Sequence, residues 1–141
     1  MRCPQSYIDD IAEEQGHLFC IVAEKGHDLL DFMPKYAKTR LRTAMDEGIP
    51  WFCTRFGTEM YEWLRENNFT FKPCKQEQSL YVAEWLGVFY AYAQWYADIS
   101  FAELVRRLDL MAIVSRYGAL HDMDVGVAVK KVLASPLFTE K

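Results

Sequence analysis

His17 and Cys20 stand three residues apart in QGHLFC, about one turn of a helix. A thiol beside an imidazole is the minimal pair for nucleophilic catalysis, and it is also half of a metal site. The remainder of either chemistry is missing. A metal site takes three or four ligands, and the sequence marks no others; beside Phe19, Cys20 fits a core position. In LHDMD, His121 adjoins Asp122, with Asp124 two residues on. A His–Asp pair can move a proton, but acids placed here also suit the start of a helix through Val125, Ala128, Val129 and Val132, and that reading is preferred. The four cysteines, Cys3, Cys20, Cys53 and Cys74, form no CxxC pair, and MRCPQSYIDD has no apolar core of the kind a secretory signal needs. The expectation is therefore free thiols in a reducing cytoplasm. No constellation supplies a nucleophile, a base and an oxyanion donor together, and no glycine-rich phosphate loop is present. The chain reads as non-enzymatic, with no cofactor and no metal.

Charge offers binding chemistry instead. Lys35, Lys38, Arg40 and Arg42 form one basic cluster, which can grip a phosphate backbone or an acidic partner. The plainer reading is a solvated helix face with Arg42 paired to Asp46 four residues on. Asp9, Asp10, Glu13 and Glu14 crowd the start of the first helix, where acids suit the helix dipole and can also meet a basic partner. The net charge is −4, and the first 70 residues hold eight bases against twelve acids, so a general nucleic-acid binder is not expected. SFAELVRRLDLMAIVSRYG has the outline of a helix-turn-helix, but its second helix is too apolar to read base edges.

The densest feature is WLGVFYAYAQWYA, residues 85–97, with six aromatic rings and no charge. A membrane span is disfavoured by Glu84 and by the dominance of Ala, Tyr and Trp over Leu and Ile. Tyr81, Trp85, Phe89, Tyr92 and Tyr96 fall on one helical stripe, which is expected to face the core. Tyr90 and Trp95 fall off it, leaving surplus aromatic surface of the type that interfaces favour.

Helix signals run the length of the chain. Apolar spacing predicts a helix from Ser6 to Lys25, stopped by Gly26. Asp28 caps a short helix that Pro34 kinks or ends, followed by a piece from Lys35 to Glu47. Pro50 opens another, running to Glu66 with a bend at Gly57; Phe69 and Phe71 suggest a short extended piece in NNFTFKPCK. The long helix is expected from Gln76 to Ala97. A capping box, Ser100 with Glu103, starts the next, Asp109 the one after, and Asp122 or Asp124 the last. The expected fold is all-α: one compact domain over residues 1–141, about seven helices around one central aromatic-rich helix.

Three of these stretches together carry a resemblance. W-L-G-V-F-Y-A-Y from Trp85, S-F-A-E from Ser100 and L-H-D-M-D with Ala128 beyond it resemble a group of small, uncharacterised bacterial helical proteins. Their pattern is W-x-G-x-x-Y-x-Y, S-x-x-E and H-x-[LM]-D-x-x-x-A. D-F-M-P-K-Y from Asp31 fits loosely, and Ala93 and Ala97 depart from the group. The resemblance spans roughly residues 18 to 133. Such proteins are often encoded beside toxins or mobile-element genes. The resemblance thus implies an antitoxin-like module that binds and neutralises a protein partner. Combined with the surplus aromatics, it points to Tyr90, Trp95 and Trp51 as anchors, with Lys35, Lys38 and Arg42 at the rim. The alternatives are a nucleic-acid-associated regulator using the 35–42 cluster, an inhibitor of a bacterial defence system, and a seam between two copies of the chain.

Overall fold

The helices begin where side-chain oxygens can close their first turns. Asp28, Thr39, Ser79, Ser100, Asp109 and Asp124 each accept a backbone N–H at a helix start, which satisfies one of the donors a helix leaves open. The computed structural model of the chain describes residues 5–140. They form one compact all-helical domain of ten α-helices, with no strand among the described residues. In order these are α1 (Ile8–Glu24), α2 (Leu29–Ala37), α3 (Arg40–Asp46), α4 (Pro50–Cys53), α5 (Gly57–Glu66), α6 (Leu80–Ala97), α7 (Phe101–Arg107), α8 (Leu110–Ser115), α9 (Tyr117–Leu120) and α10 (Val125–Leu133).

Several boundaries differ from expectation, each for a local reason. Pro34 neither ends nor divides α2. The carbonyl it deprives of a partner, four residues back, belongs to Leu30, which is 48% exposed. The break falls at Thr39, whose hydroxyl donates to the Tyr36 carbonyl and accepts from the Arg42 N–H. Gly57 does not bend a longer helix; it opens α5 after α4 has ended. Ser79, accepting from the Val82 N–H, starts α6 later than Gln76. Phe69 and Phe71 pair with nothing as strand; the 67–79 connection is tied down by an isolated bridge between His27 and Pro73.

Helix α6 packs on α1, α7 and α10. Its buried face is Ala83, Leu86, Gly87, Tyr90, Ala93 and Gln94, with Phe89 and Ala91 alongside. The aromatic stripe is thus not the core face. Phe89 is buried, but Tyr81 is 80% exposed and Tyr96 also faces solvent. The physical reason is close approach. A Cβ at Gly87 would stand 2.5 Å from the Gln15 carbonyl oxygen and 2.6 Å from the Gly16 Cα. Only a glycine at this crossing lets the two backbones touch, so the small-residue face wins the core. The stripe rings serve the flanks. Trp85 stacks on Phe89 and meets Tyr117 edge-on. The Tyr92 hydroxyl donates to Asp9 at 2.5 Å; burial, then that bond, pushes it up to about 12. Tyr96 lies beneath the Lys130 ammonium at 5.1 Å.

Candidate functional site

Arg42 occupies the middle of the structure and is 1% exposed. Its Nε donates to Gln15 Oε1 (3.1 Å), Nη1 to Asp46 Oδ1 (2.7 Å) and Nη2 to Gln94 Oε1 (2.5 Å), while its plane lies 4.1 Å from the Phe101 ring centroid. Asp46 also accepts from Gln94 Nε2 and from the Phe101 N–H at the start of α7. Gln15 accepts from the Tyr36 hydroxyl and donates to the Gly87 carbonyl. One polar network thereby joins α1, α2, α3, α6 and α7. Burial holds the Tyr36 hydroxyl protonated far above its ordinary range. Each charge is met by an opposite charge or a hydrogen bond, which is what makes burial tolerable.

The expected partner-binding residues do not form one surface. Tyr90 is buried against Phe89 and Phe101, which corrects its assignment as an exposed anchor, and it lies with Lys38 in the wall of the hollow between α2 and α7. Arg42 is corrected likewise, since its guanidinium is spent on the core network. The basic cluster is dispersed: Lys35 pairs with Asp31 at 2.9 Å, Arg40 with Glu47 at 2.5 Å, and Arg42 is inside. Lys38 is exposed and has no ion pair among the described residues. Trp95 is half-buried, edge-on to Tyr96. Trp51 is 51% exposed, with the Arg55 guanidinium over its ring.

The chemical candidates are held in ways that do not activate them. His17 Nδ1 lies 3.1 Å from Glu14, whose carboxylate also accepts the Gly57 N–H. The Cys20 thiol is pushed up by burial and then by the charges of Glu84 and Glu24, away from the thiolate that a nucleophile needs. His121 stacks on Tyr117 and lies 3.4 Å from Asp122, while Asp124 caps α10. Among the described residues no three His, Cys, Asp or Glu side chains are grouped to hold a metal ion. Cys3 lies outside the described residues. Among them no helix is long and apolar enough to cross a membrane.

An apolar concave surface lies elsewhere. Between α2 and α7 runs a hollow of about 510 Å³, walled by Leu30, Met33, Pro34, Ala102 and Val105. At Leu30 and Leu110 it meets a second hollow of about 390 Å³, lined by Val82, Leu86, Met111 and Val114. Met111 is 67% exposed, and Leu30 and Val114 are also open to solvent. Lys38 and Arg106 stand on the α2–α7 end of this groove. The apolar pattern signals the α2 wall: Leu30, Met33, Pro34 and Ala37 share one face of α2. What sequence alone lacked was any sign that Leu30 and Pro34 stay open to solvent while Met33 and Ala37 are covered.

No protein-family model matches the chain, and neither curated proteins nor solved structures give a match.

Proposed function

We propose that the chain is a protein-interaction module that neutralises a protein partner by seating a partner helix in the α2–α7–α8 groove. The observation that carries this is the continuous apolar groove with Leu30, Met111 and Val114 exposed along it. Exposed apolar surface gathered in one concavity, rather than scattered singly, marks a place where another molecule sits. The occupant that fits is an amphipathic helix, apolar toward Leu30 and Met111, with a carboxylate toward Lys38. Helix-in-groove binding of this kind is a common mode of recognition. The resemblance to helical proteins encoded beside toxins extends the reading to an antitoxin-like inhibitor.

The test is co-expression with a candidate growth-inhibiting partner protein, scored by growth and by size-exclusion chromatography. The reading expects restored growth and a stable complex. Both are lost in Leu30→Glu and Met111→Glu, while the exposed Tyr81→Ser, outside the groove, changes neither. Each groove substitution removes roughly 1.5–3 kcal/mol of apolar burial, about ten- to a hundredfold in affinity. A complex that survives both groove substitutions refutes the assignment.

A further inference from the structure

A second concavity, of about 300 Å³, opens between α4 and α5 with Trp51, Arg55, Glu59, Glu62, Trp63 and Glu66 around it. Its aromatic floor is fixed in place. Phe52 meets Trp51 edge-on at 4.9 Å and Trp63 edge-on at 6.2 Å, and Trp63 stacks on Phe69. Glu59, Glu62 and Glu66 follow the spacing i, i+3, i+7, so one face of α5 presents all three carboxylates beside the two indoles.

The acids alone would say little. The chain itself shows which cation this surface accepts. The Arg55 guanidinium lies 4.4 Å from the Trp51 ring centroid, its Nε donating to the Trp51 carbonyl at 2.8 Å and its Nη1 to Glu59 at 3.2 Å. A ring face, a backbone carbonyl and a carboxylate form a set that suits a planar guanidinium with several donors better than an ammonium. The rest of the cleft repeats most of that set. Glu62 has only a loose, solvent-exposed pairing with Arg65 at 3.8 Å, and Glu66 has no ion pair among the described residues. Trp63 supplies the second indole. Three carboxylates against Arg55 and the loosely paired Arg65 leave a net negative charge beside an aromatic wall.

We propose that the Trp51–Trp63 cleft is a docking site for an arginine side chain on a basic segment of a protein partner. The guanidinium stacks on indole and bonds to Glu62 and Glu66, while Arg55 keeps Glu59. This site is separate from the apolar groove and of opposite chemical preference, so it stands or falls without the groove reading.

The experiment titrates a short acetylated and amidated peptide carrying two arginines into the ¹⁵N-labelled full chain, following the tryptophan indole N–H signals. Lysine and citrulline versions of the peptide run in parallel. The expected result is a saturable shift of the Trp51 and Trp63 signals, about three- to fivefold weaker with lysine and absent with citrulline. The surface pair Glu62→Gln/Glu66→Gln and the variant Trp51→Ala each weaken it by a similar factor, and Leu30→Glu does not. Three outcomes overturn the proposal: lysine binding as well as arginine, which leaves only bare charge attraction; shifts confined to the other tryptophans; or binding unchanged in the carboxylate pair, whose exposed positions spare the fold.

Discussion

Replacing Gly87 by alanine adds one methyl group where the structure has no room for it. The new Cβ would lie 2.5 Å from the Gln15 carbonyl oxygen, 2.6 Å from the Gly16 Cα and 2.7 Å from the Gln15 carbonyl carbon. All three are backbone atoms of α1, so no side chain can rotate away. Restoring ordinary contact near 3.5 Å requires α1 and α6 to part by about 1 Å. Overpacking of this kind costs about 1–3 kcal/mol. The separation also strains the bond from Gln15 Nε2 to the Gly87 carbonyl, 2.8 Å long and buried, for about 1 kcal/mol more. Alanine's better helix propensity returns about 1 kcal/mol. The net loss is about 1–3 kcal/mol, and at this chain length Tm should fall by about 4–12 °C.

Gly118 supplies the control. It lies in α9, and a Cβ there meets nothing within 4 Å. Gly118→Ala adds the same methyl group with no clash, so it should be neutral or slightly stabilising. Thermal and urea unfolding followed by circular dichroism read both variants. A Gly87→Ala protein melting within about 2 °C of the parent, a shift worth less than 1 kcal/mol, refutes the idea that bare backbone contact sets the α1–α6 crossing.

Arg42→Ala strands Asp46 in a desolvated site and should cost about 3–5 kcal/mol in urea unfolding, whereas Lys38→Ala, on the surface, should stay within about 0.5 kcal/mol. Burial lowers the pKa of His27, whose Nε2 lies 2.8 Å from the Tyr61 hydroxyl. Its stabilising contribution is therefore full above the unfolded value near 6.5 and declines as pH falls through the window between that value and the lower folded one. His27→Asn should flatten the loss of stability between pH 7 and pH 5, and a slope equal to the parent's counts against the desolvation. Site-resolved alkylation of Cys20 should still be accelerating above the ordinary thiol pKa; a plateau below it would mean an activated thiol.

The legible part of the fold was the part written locally. Ser100, Asp109 and Asp28 are caps in the sequence and caps in the structure, because an oxygen one turn before an apolar run has few other uses. The pairing of Arg42 with Asp46 was legible for the same reason, being a contact within one helix turn. That the pair is buried was not, since its other partners, Gln15, Gln94 and Phe101, come from 27 to 59 residues away along the chain. The orientation of α6 departs from its aromatic stripe because helical spacing does not say which of two apolar faces is buried. Helix α6 offers a face of large rings and a face of Ala83, Gly87 and Ala91, and the choice depended on Gly16 of α1, about seventy residues earlier, having no side chain either. The groove was invisible for a related reason: periodicity shows that a face is apolar, not that the fold leaves it uncovered.

Once the rings of α6 are placed, the question of surplus aromatic surface changes its answer. Tyr90 fills the core, Trp85 and Phe89 stack together, and Tyr92 is tied to Asp9. On α6 Tyr81 and Tyr96 stay exposed, and a further group of uncovered apolar side chains gathers on short helices: Leu30 at the open end of α2, and Met111 and Val114 on α8, which has six residues and buries only Ile113. A helix of that length has little stability of its own and depends on what it packs against. Here α8 turns two of its apolar side chains outward, away from the core that would stabilise it most. Folding alone gives no reason for that orientation, and a partner helix in the groove does, since it would cover both side chains and complete the packing of α8. Growth rescue and complex formation by Leu30→Glu and Met111→Glu variants, read together with their melting temperatures, therefore test this point directly. Variants that bind no partner yet melt at the parent's temperature or above would mark Leu30 and Met111 as residues held for binding rather than for folding.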